Sequence, residues 1–163
     1  MVMKKRLLAF LVVIVLAGLA FVPAAVAAPP IPVSGDLTIT PVGDWVFEKN
    51  AGGNEFWSGE EVTFGDGWSG GISGSSVDYF RCVFHRNGVI QGFFTFYFTG
   101  TVLGSDLGTL VIEMSLITTG AGRWMGSWVI KSAAGGLAGL HGEGKACIDM
   151  NPMVSYSGKV HWK

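Results

Sequence analysis

The chain has 163 residues, with eleven Lys and Arg, twelve Asp and Glu and a formal net charge of −1. Residues 1–27 contain three of the basic residues and none of the acidic ones, so the rest carries eight basic and twelve acidic residues. Acidic residues therefore outnumber basic ones, whereas a nucleic-acid-binding surface is rich in basic residues, so we expect no nucleic-acid partner. The 136 residues that follow residue 27 suit one domain with its own core.

The first 27 residues have the pattern of a secretory signal peptide. KKR at residues 4–6 precedes an apolar stretch over residues 7–22, and AVA at residues 25–27 is a small-x-small cleavage sequence. We therefore expect a signal helix, cleavage before Ala28 and an exported protein that is secreted, periplasmic or in the cell envelope. The alternative is an uncleaved N-terminal anchor, although a bilayer span takes about 20 apolar residues. After cleavage we expect no stable membrane span.

The next part of the chain gives weaker signals. Residues 28–35 are Pro-rich and predict an extended lead-in, followed by a single domain over residues 36–163. In the stretch that begins at Glu55, the apolar residues Phe56, Val62 and Phe64 alternate with polar ones and predict a strand. Residues 65–76 contain five glycines and four serines, which favours a mixture of strand and loop.

The strand pattern is clearest from residue 78 onward. Asn87-Gly88 predicts a hairpin with a type I′ turn. On either side of it, alternating apolar positions define one face of each of four strands: Phe80, Cys82 and Phe84; Ile90, Phe94, Phe96, Phe98 and Val102; Leu110, Ile112, Met114 and Leu116; Trp124, Trp128 and Ile130. Since no stretch keeps a 3.6-residue period over three turns, we expect no amphipathic helix after residue 27.

These patterns predict an all-β protein, an antiparallel and mostly up-and-down closed β-barrel of about eight strands preceded by the signal peptide helix. A sandwich is the alternative architecture. The short links between strands favour the barrel, and closure removes the adhesive sheet edges of an exported, Phe-rich chain.

Residues 108–144 resemble a known group of sequences. They combine a Gly-rich hairpin, a Trp-containing strand and a final glycine-leucine element, whose matching residues are Gly136, Leu137, Gly139, Leu140, Gly142 and Gly144. This order is similar to that of an uncharacterised bacterial and archaeal family with an allene-oxide-cyclase-like, or dirigent-like, small β-barrel. The resemblance covers roughly residues 57–144 and implies the barrel, but no activity, because fold does not imply function.

The glycine-rich residues 135–144 do not predict a cofactor site. A phosphate-binding glycine loop must open a helix, whose N–H groups meet the phosphate, and the residues that follow here predict a strand. We therefore expect no cofactor, and we expect Leu137 and Leu140 to plug one end of the barrel. His85, His141 and His161 are far apart in the sequence, so we expect no metal site either.

Several charged residues are catalytic candidates. Glu113 lies in an apolar stretch and faces either solvent or the barrel lumen, where a carboxyl would have a raised pKa and could act on a small ligand. His141 and Glu143 are two residues apart and so share one face of a strand. The choice between lumen and solvent is equally open for Asp78, Arg81 and Arg123.

The aromatic residues are candidates for ligand binding, because six Trp and eleven Phe exceed what a barrel of this size needs. Trp57 and Trp68, in Gly/Ser-rich surroundings, predict a ligand-contact rim or, alternatively, caps on the barrel ends. The other binding candidates are Phe94, Phe96 and Trp128, on the apolar strand faces.

The two cysteines permit one disulfide in an exported protein. Cys82 falls on an apolar face and Cys147 on a polar face, which opposes a bridge, but one strand bulge would reverse that parity. The sequence therefore does not decide whether Cys82 and Cys147 form a disulfide.

Three functions remain compatible with the sequence. The first is a non-catalytic exported barrel that binds a small apolar ligand or a protein partner. The second is a lumenal enzyme of the isomerase or cyclase type that uses a barrel carboxylate. The third is a structural envelope protein that self-associates as an oligomer through exposed aromatic residues.

Overall fold

The structure, a computed structural model, describes residues 28–118, 122–149 and 153–163, apart from the side chains of residues 65 and 66. The signal helix predicted over residues 1–27 lies outside the described residues. In the described part of the chain, no helix is long and apolar enough to cross a membrane.

The described residues form nine strands joined by short turns. In chain order they are β1 (Ile31–Thr38), β2 (Thr40–Ala51), β3 (Asn54–Gly70), β4 (Ile72–Phe84), β5 (Ile90–Val102), β6 (Gly108–Thr118), β7 (Trp124–Gly135), β8 (Leu140–Ile148) and β9 (Met153–Trp162). Most of the lead-in predicted over residues 28–35 therefore belongs to β1, and its Val33 is buried.

Eight of these strands close into a barrel, and β2 lies outside the ring. From β3 to β9 each strand pairs antiparallel with the next, and β1 pairs with both β9 and β3. The β1–β3 junction is short and consists of the pairs Gly35–Gly70, Asp36–Ser69 and Leu37–Trp68. The prediction of an antiparallel, mostly up-and-down closed barrel of about eight strands is confirmed.

Alternation of side chains explains why these sequences close a barrel with an apolar interior. In β5 and β6 every second residue is buried, including Phe96 and Phe98 on one strand and Leu110 and Ile112 on the next. The opposite positions face solvent, as a two-residue period requires. The faces predicted for β4 to β7 from their apolar residues are confirmed.

Strand β3 does not follow its predicted face. Glu61 and Thr63 point inward, whereas Phe64 is 71% exposed. Interior volume beside β3 is filled from the neighbouring strand, because a Cβ at Gly59 would lie 2.5 Å from the ring of Phe80. A register shift between Thr63 and Trp68 then reverses the parity and turns Trp68 into the core.

The β4–β5 hairpin also differs from its predicted turn. A type I′ turn needs positive φ at both central residues, but among residues 85–89 only Gly88 has positive φ, at 80°. The Gly88 amide donates to the His85 carbonyl at 3.0 Å, and the Asn87 side chain accepts from the Val89 amide at 3.2 Å. The connection is therefore a three-residue loop, with the glycine in the left-handed region.

The two ends of the barrel are built differently. At the end that carries the β3–β4, β5–β6 and β7–β8 turns, Leu137 and Leu140 are buried and plug the interior as predicted. Trp68 fills the middle, with ring centroids 5.4 Å from Phe96 and 5.7 Å from Phe98. We call this filled part the packed half. The part toward the β2–β3 and β4–β5 turns is the open half.

Candidate binding site in the open half of the barrel

The open half contains a cavity of about 290 Å³. Four aromatic side chains form most of its wall: Trp45, Phe80, Phe94 and Trp124. The remaining lining residues are Ile39, Pro41, Glu61, Cys82 and Ile148. Three of the aromatic residues come from ring strands, so the wall is part of the barrel itself.

Trp45 reaches the cavity from the strand outside the ring. A register shift between Val42 and Val46 interrupts the pairing of β2 with β3 at this point, beside Gly43 with φ 74°. The Trp45 ring lies 4.7 Å from the ring of Phe80 and is 43% exposed. It therefore covers one side of the cavity mouth and remains in contact with solvent.

One carboxyl group lines the cavity, and a second lies beside it without lining the cavity. Glu61 on β3 and Asp78 on β4 are direct cross-strand partners and so point inward side by side. Glu61 is 8% exposed and lines the cavity, and Asp78 is 0% exposed. We call them the acid pair.

The two carboxyl groups of the acid pair share a hydrogen bond with each other. Outside the pair, Glu61 Oε2, Asp78 Oδ1 and Asp78 Oδ2 have no hydrogen-bond partner among the described residues. Thr63 Oγ1, next to the pair, has none either. Buried polar groups in proteins are nearly always partnered, because each unpartnered one costs about 1–3 kcal/mol.

The pair lies at the border between the two halves. Beside it on the same strands, Thr63 is paired with Ser76, whose Oγ accepts a hydrogen bond from Trp68 Nε1 at 2.9 Å. Trp68 belongs to the packed half. The acid pair thus lies next to the packed half on one side, and its Glu61 lines the cavity on the other.

Burial sets the protonation of the acid pair. Loss of water raises the pKa of Asp78 to about 8, and repulsion by the Glu61 carboxylate contributes to that rise. Burial also raises the pKa of Glu61, and the hydrogen bond with the Asp78 carboxyl partly offsets that rise. At pH 7 Asp78 is therefore protonated in most molecules. Glu61 beside it binds a proton more readily than an exposed glutamate does.

The cavity contains no compensating positive charge. None of the described residues that line it is Lys, Arg or His. Arg81 pairs with Glu48 at 2.6 Å, and Arg123 pairs with Asp149 at 2.9 Å, in both cases through exposed arginine side chains. Cys82 in the wall is not a nucleophile, because burial raises the pKa of its thiol to about 12.

The catalytic candidates from the sequence lie elsewhere. For Glu113 the sequence allows both lumen and solvent. The structure exposes it on the outer wall, where its Oε2 lies 3.3 Å from Lys131 Nζ. His141 and Glu143 are also exposed, and the ring of His141 stacks on that of His161 at 5.5 Å. Glu113 and Glu143 line the same groove of about 860 Å³, which lies away from the acid pair, while Arg123 does not line it.

The ligand-binding candidates divide between the two halves. Phe94 lines the cavity. The rim position expected for Trp68 is corrected, because the register shift in β3 places it in the core, where Phe96 and Trp128 are also buried. Trp57 is half-buried beside the ring of Phe47 at 5.2 Å.

Sequence reasoning missed half of the acid pair. The apolar residues of β3 predict the opposite face as the inner one, so they give no signal for Glu61. For Asp78 the sequence allows both lumen and solvent, although Asp78 shares the two-residue period of Phe80 and Cys82. That period was the signal that could have placed Asp78 inside the barrel.

The cysteines are not bonded to each other in the structure. Cys82 faces the interior, whereas Cys147 accepts a hydrogen bond from Arg123 Nε at 3.2 Å. The opposite parities read from the sequence are therefore confirmed, and they keep the two thiols on different sides of the barrel wall. No group of three or more metal-ligating side chains occurs among the residues that the structure describes.

Fold and cavity together define a small antiparallel barrel with one filled and one open half. No family model and no curated protein matches the sequence. The chain is similar in fold to a crystal structure of a protein with unknown function from the DUF3224 family of Shewanella oneidensis MR-1. The TM-score is 0.64 at 18% identity, over 83% of this chain and 98% of the other. At that identity the likeness supports the barrel fold alone.

Proposed function

We propose that the protein binds a small, mostly apolar molecule in the cavity of the open half. The observation that carries this proposal is an unfilled interior with four aromatic side chains and the Glu61 carboxyl in its wall. Its volume of about 290 Å³ is near the lower end of ligand pockets. Apolar walls supply affinity, and a few buried polar groups supply orientation.

A cavity-filling variant tests this proposal. Ile148 lines the cavity and is only partly buried, so Ile148→Phe fills space there without entering the packed half. Binding of 2-phenylethanol would be followed by the fluorescence of Trp45 and Trp124. We expect Ile148→Phe to weaken binding by about tenfold or more, which corresponds to about 1.4 kcal/mol.

Ile117→Phe is the matched control, because Ile117 is 48% exposed on the outer wall. It makes the same substitution outside the cavity and should leave binding unchanged. Equal affinities for wild type, Ile148→Phe and Ile117→Phe would show that the probe binds elsewhere.

The acid pair also favours a second candidate function, proton transfer in an isomerase or cyclase type of reaction. Glu61 is a carboxyl in the cavity wall that can accept a proton, and the protonated Asp78 beside it is hydrogen-bonded to it. This role would fit the resemblance to allene-oxide-cyclase-like barrels, with these two carboxyls in place of Glu113.

Hydrogen exchange in a bound ketone tests the catalytic candidate. Glu61 would take a proton from the carbon next to the carbonyl, giving an enolate whose carbon takes up deuterium from D₂O, while Glu61 releases its proton to solvent. We expect NMR to show faster exchange of phenylacetone with wild type than with buffer, and loss of that gain in Glu61→Gln. Exchange at the buffer rate with wild type would contradict catalysis without affecting binding.

We further propose that binding takes place outside the cytoplasm. The support is the signal-peptide pattern of residues 1–27, with its basic start, apolar stretch and small-x-small end. Mass spectrometry of the protein from its native compartment should give a chain that begins at Ala28. A chain that retains its first 27 residues would indicate the anchored alternative.

A further inference from the structure

We propose that the ligand of the open half is a small organic ammonium ion, whose positive nitrogen lies against the Glu61 carboxyl of the acid pair. This inference rests on the proposed binding function and adds the chemical class of the ligand.

The first support is the Glu61 carboxyl in the cavity wall. Glu61 lines the cavity at 8% exposure, and Glu61 Oε2 has no hydrogen-bond donor among the described residues outside the acid pair. Asp78 lies beside Glu61 but does not line the cavity. A primary ammonium has three N–H donors and no acceptor, so it can bond to the Glu61 carboxyl without adding another unpartnered acceptor.

The second support is charge. Two adjacent carboxyl groups have no basic side chain among the described residues that line the cavity, so ionisation of both is uncompensated. A cation stabilises the ionised pair by attraction at close range, and an anionic ligand would be repelled. Charge therefore selects for a cationic ligand and against a carboxylic acid of the same shape.

The third support is the wall. Trp45, Phe80, Phe94 and Trp124 surround the space above the pair, and aromatic faces attract organic cations. A divalent metal ion fits this site poorly, because it prefers more oxygen ligands and waters, and no cluster of three ligating side chains is described here. The combination favours a cation with an apolar body.

Binding of an ammonium ion should also release a proton. Because burial holds the pKa of Asp78 at about 8, this group is largely protonated in the free protein at neutral pH. A cation that favours the carboxylate lowers that pKa, so ammonium affinity should increase as the pH rises from 6 to 8.

Calorimetric titration with three probes of one shape tests the inference. The probes are 2-phenylethylammonium chloride, 2-phenylethanol and sodium phenylacetate, each titrated into the purified protein at pH 7.5. We expect the ammonium to bind at least about tenfold more tightly than the alcohol, and the carboxylate to bind most weakly. Repeating the ammonium titration in two buffers of different ionisation enthalpy should show proton release.

Variants assign the preference to the acid pair. The double substitution Glu61→Gln with Asp78→Asn should remove the preference for the ammonium and keep binding of the alcohol. Glu113→Gln is the matched control, since it removes an exposed carboxyl on the outer wall and should keep the preference. If circular dichroism shows that the double variant does not fold, two other measurements test the assignment. They are the ammonium preference of Glu61→Gln alone and the proton release of the wild type.

The outcomes separate this inference from the proposed function. Binding of the alcohol as tightly as the ammonium, or tightest binding of phenylacetate, would overturn the ammonium assignment and leave the cavity function standing. Ammonium binding without proton release would also overturn the assignment. Failure of all three probes to bind would count against the cavity function itself.

Discussion

The two halves of the barrel interior are lined by many of the same strands, but they differ in the hydrogen bonding of their buried polar groups. In the packed half the Tyr156 hydroxyl accepts from the Ile72 amide at 2.8 Å and donates to the Ser69 carbonyl at 2.8 Å. Trp128 Nε1 donates to the Ser157 carbonyl at 3.3 Å. Each of these buried donors and acceptors is satisfied within a filled interior.

In the open half, by contrast, Glu61 lines a cavity and the acid pair has no hydrogen-bond partner outside itself among the described residues. Unpartnered carboxyl groups reduce stability, and sites that break the rules of a well-packed core are expected to be functional. The contrast between Tyr156 and Asp78, both buried in one barrel, locates the site. It also predicts that substitutions in the two halves will have different consequences.

The largest effect on stability should come from the packed half. Trp68→Ala removes a fully buried ring that touches Phe96 and Phe98, so we expect a loss of about 3–5 kcal/mol in the free energy of unfolding. Trp124→Ala, at the already open cavity, should cost only about 1–2 kcal/mol. Denaturant titration measures both, and equal losses would remove the distinction between the halves.

The next effect is a pH dependence that comes from Asp78. Its pKa is about 8 in the folded protein and about 3.9 in an unfolded chain. Between these values the folded state binds more protons, so stability should fall as the pH rises toward 8 and level off above it. Asp78→Asn should reduce this slope in denaturant titrations from pH 4 to 9, and an unchanged slope would contradict the assignment.

A smaller effect is expected at Tyr156. Tyr156→Phe keeps the ring but leaves the Ile72 amide, which donates to the hydroxyl, without that partner. We expect a loss of about 1–3 kcal/mol in the free energy of unfolding and unchanged ligand affinity, because the hydroxyl lies in the packed half. Loss of binding with little loss of stability would place Tyr156 in the site instead.

The smallest effect should be at Glu113. Its pair with Lys131 is half exposed on both sides, and such surface pairs contribute about 0–1 kcal/mol. Glu113→Gln should therefore leave both stability and ligand binding close to those of the wild type. A large loss of binding in this variant would move the site to the groove on the outer wall.

The sequence predicts the fold well where one rule operates without interruption. In β5 and β6, alternation of Phe, Leu and Ile with polar residues identifies the buried face correctly, because side chains of each strand fill their own share of the interior. In β3 that rule fails. Gly59 leaves its space to Phe80, and the irregularity between Thr63 and Trp68 reverses which residues point inward.

The site is less predictable than the fold because it depends on those irregularities. The parity of Asp78 with Phe80 places it inside, but its partner Glu61 follows only from the register between β3 and β4. Trp45 reaches the mouth through a register shift beside Gly43, on a strand outside the ring. Nothing in the spacing of these residues alone would bring them together.

The most direct test of the binding site is an NMR titration of the Asp78 carboxyl carbon, assigned with Asp78→Asn, in the absence and presence of 2-phenylethylammonium. We expect the free protein to titrate with a pKa of about 8, because the carboxyl is buried beside Glu61. Saturating ligand should then lower that pKa. A carboxyl that titrates near its ordinary value of about 3.9, and that does not respond to the ligand, would contradict a buried acid pair beneath a ligand cavity.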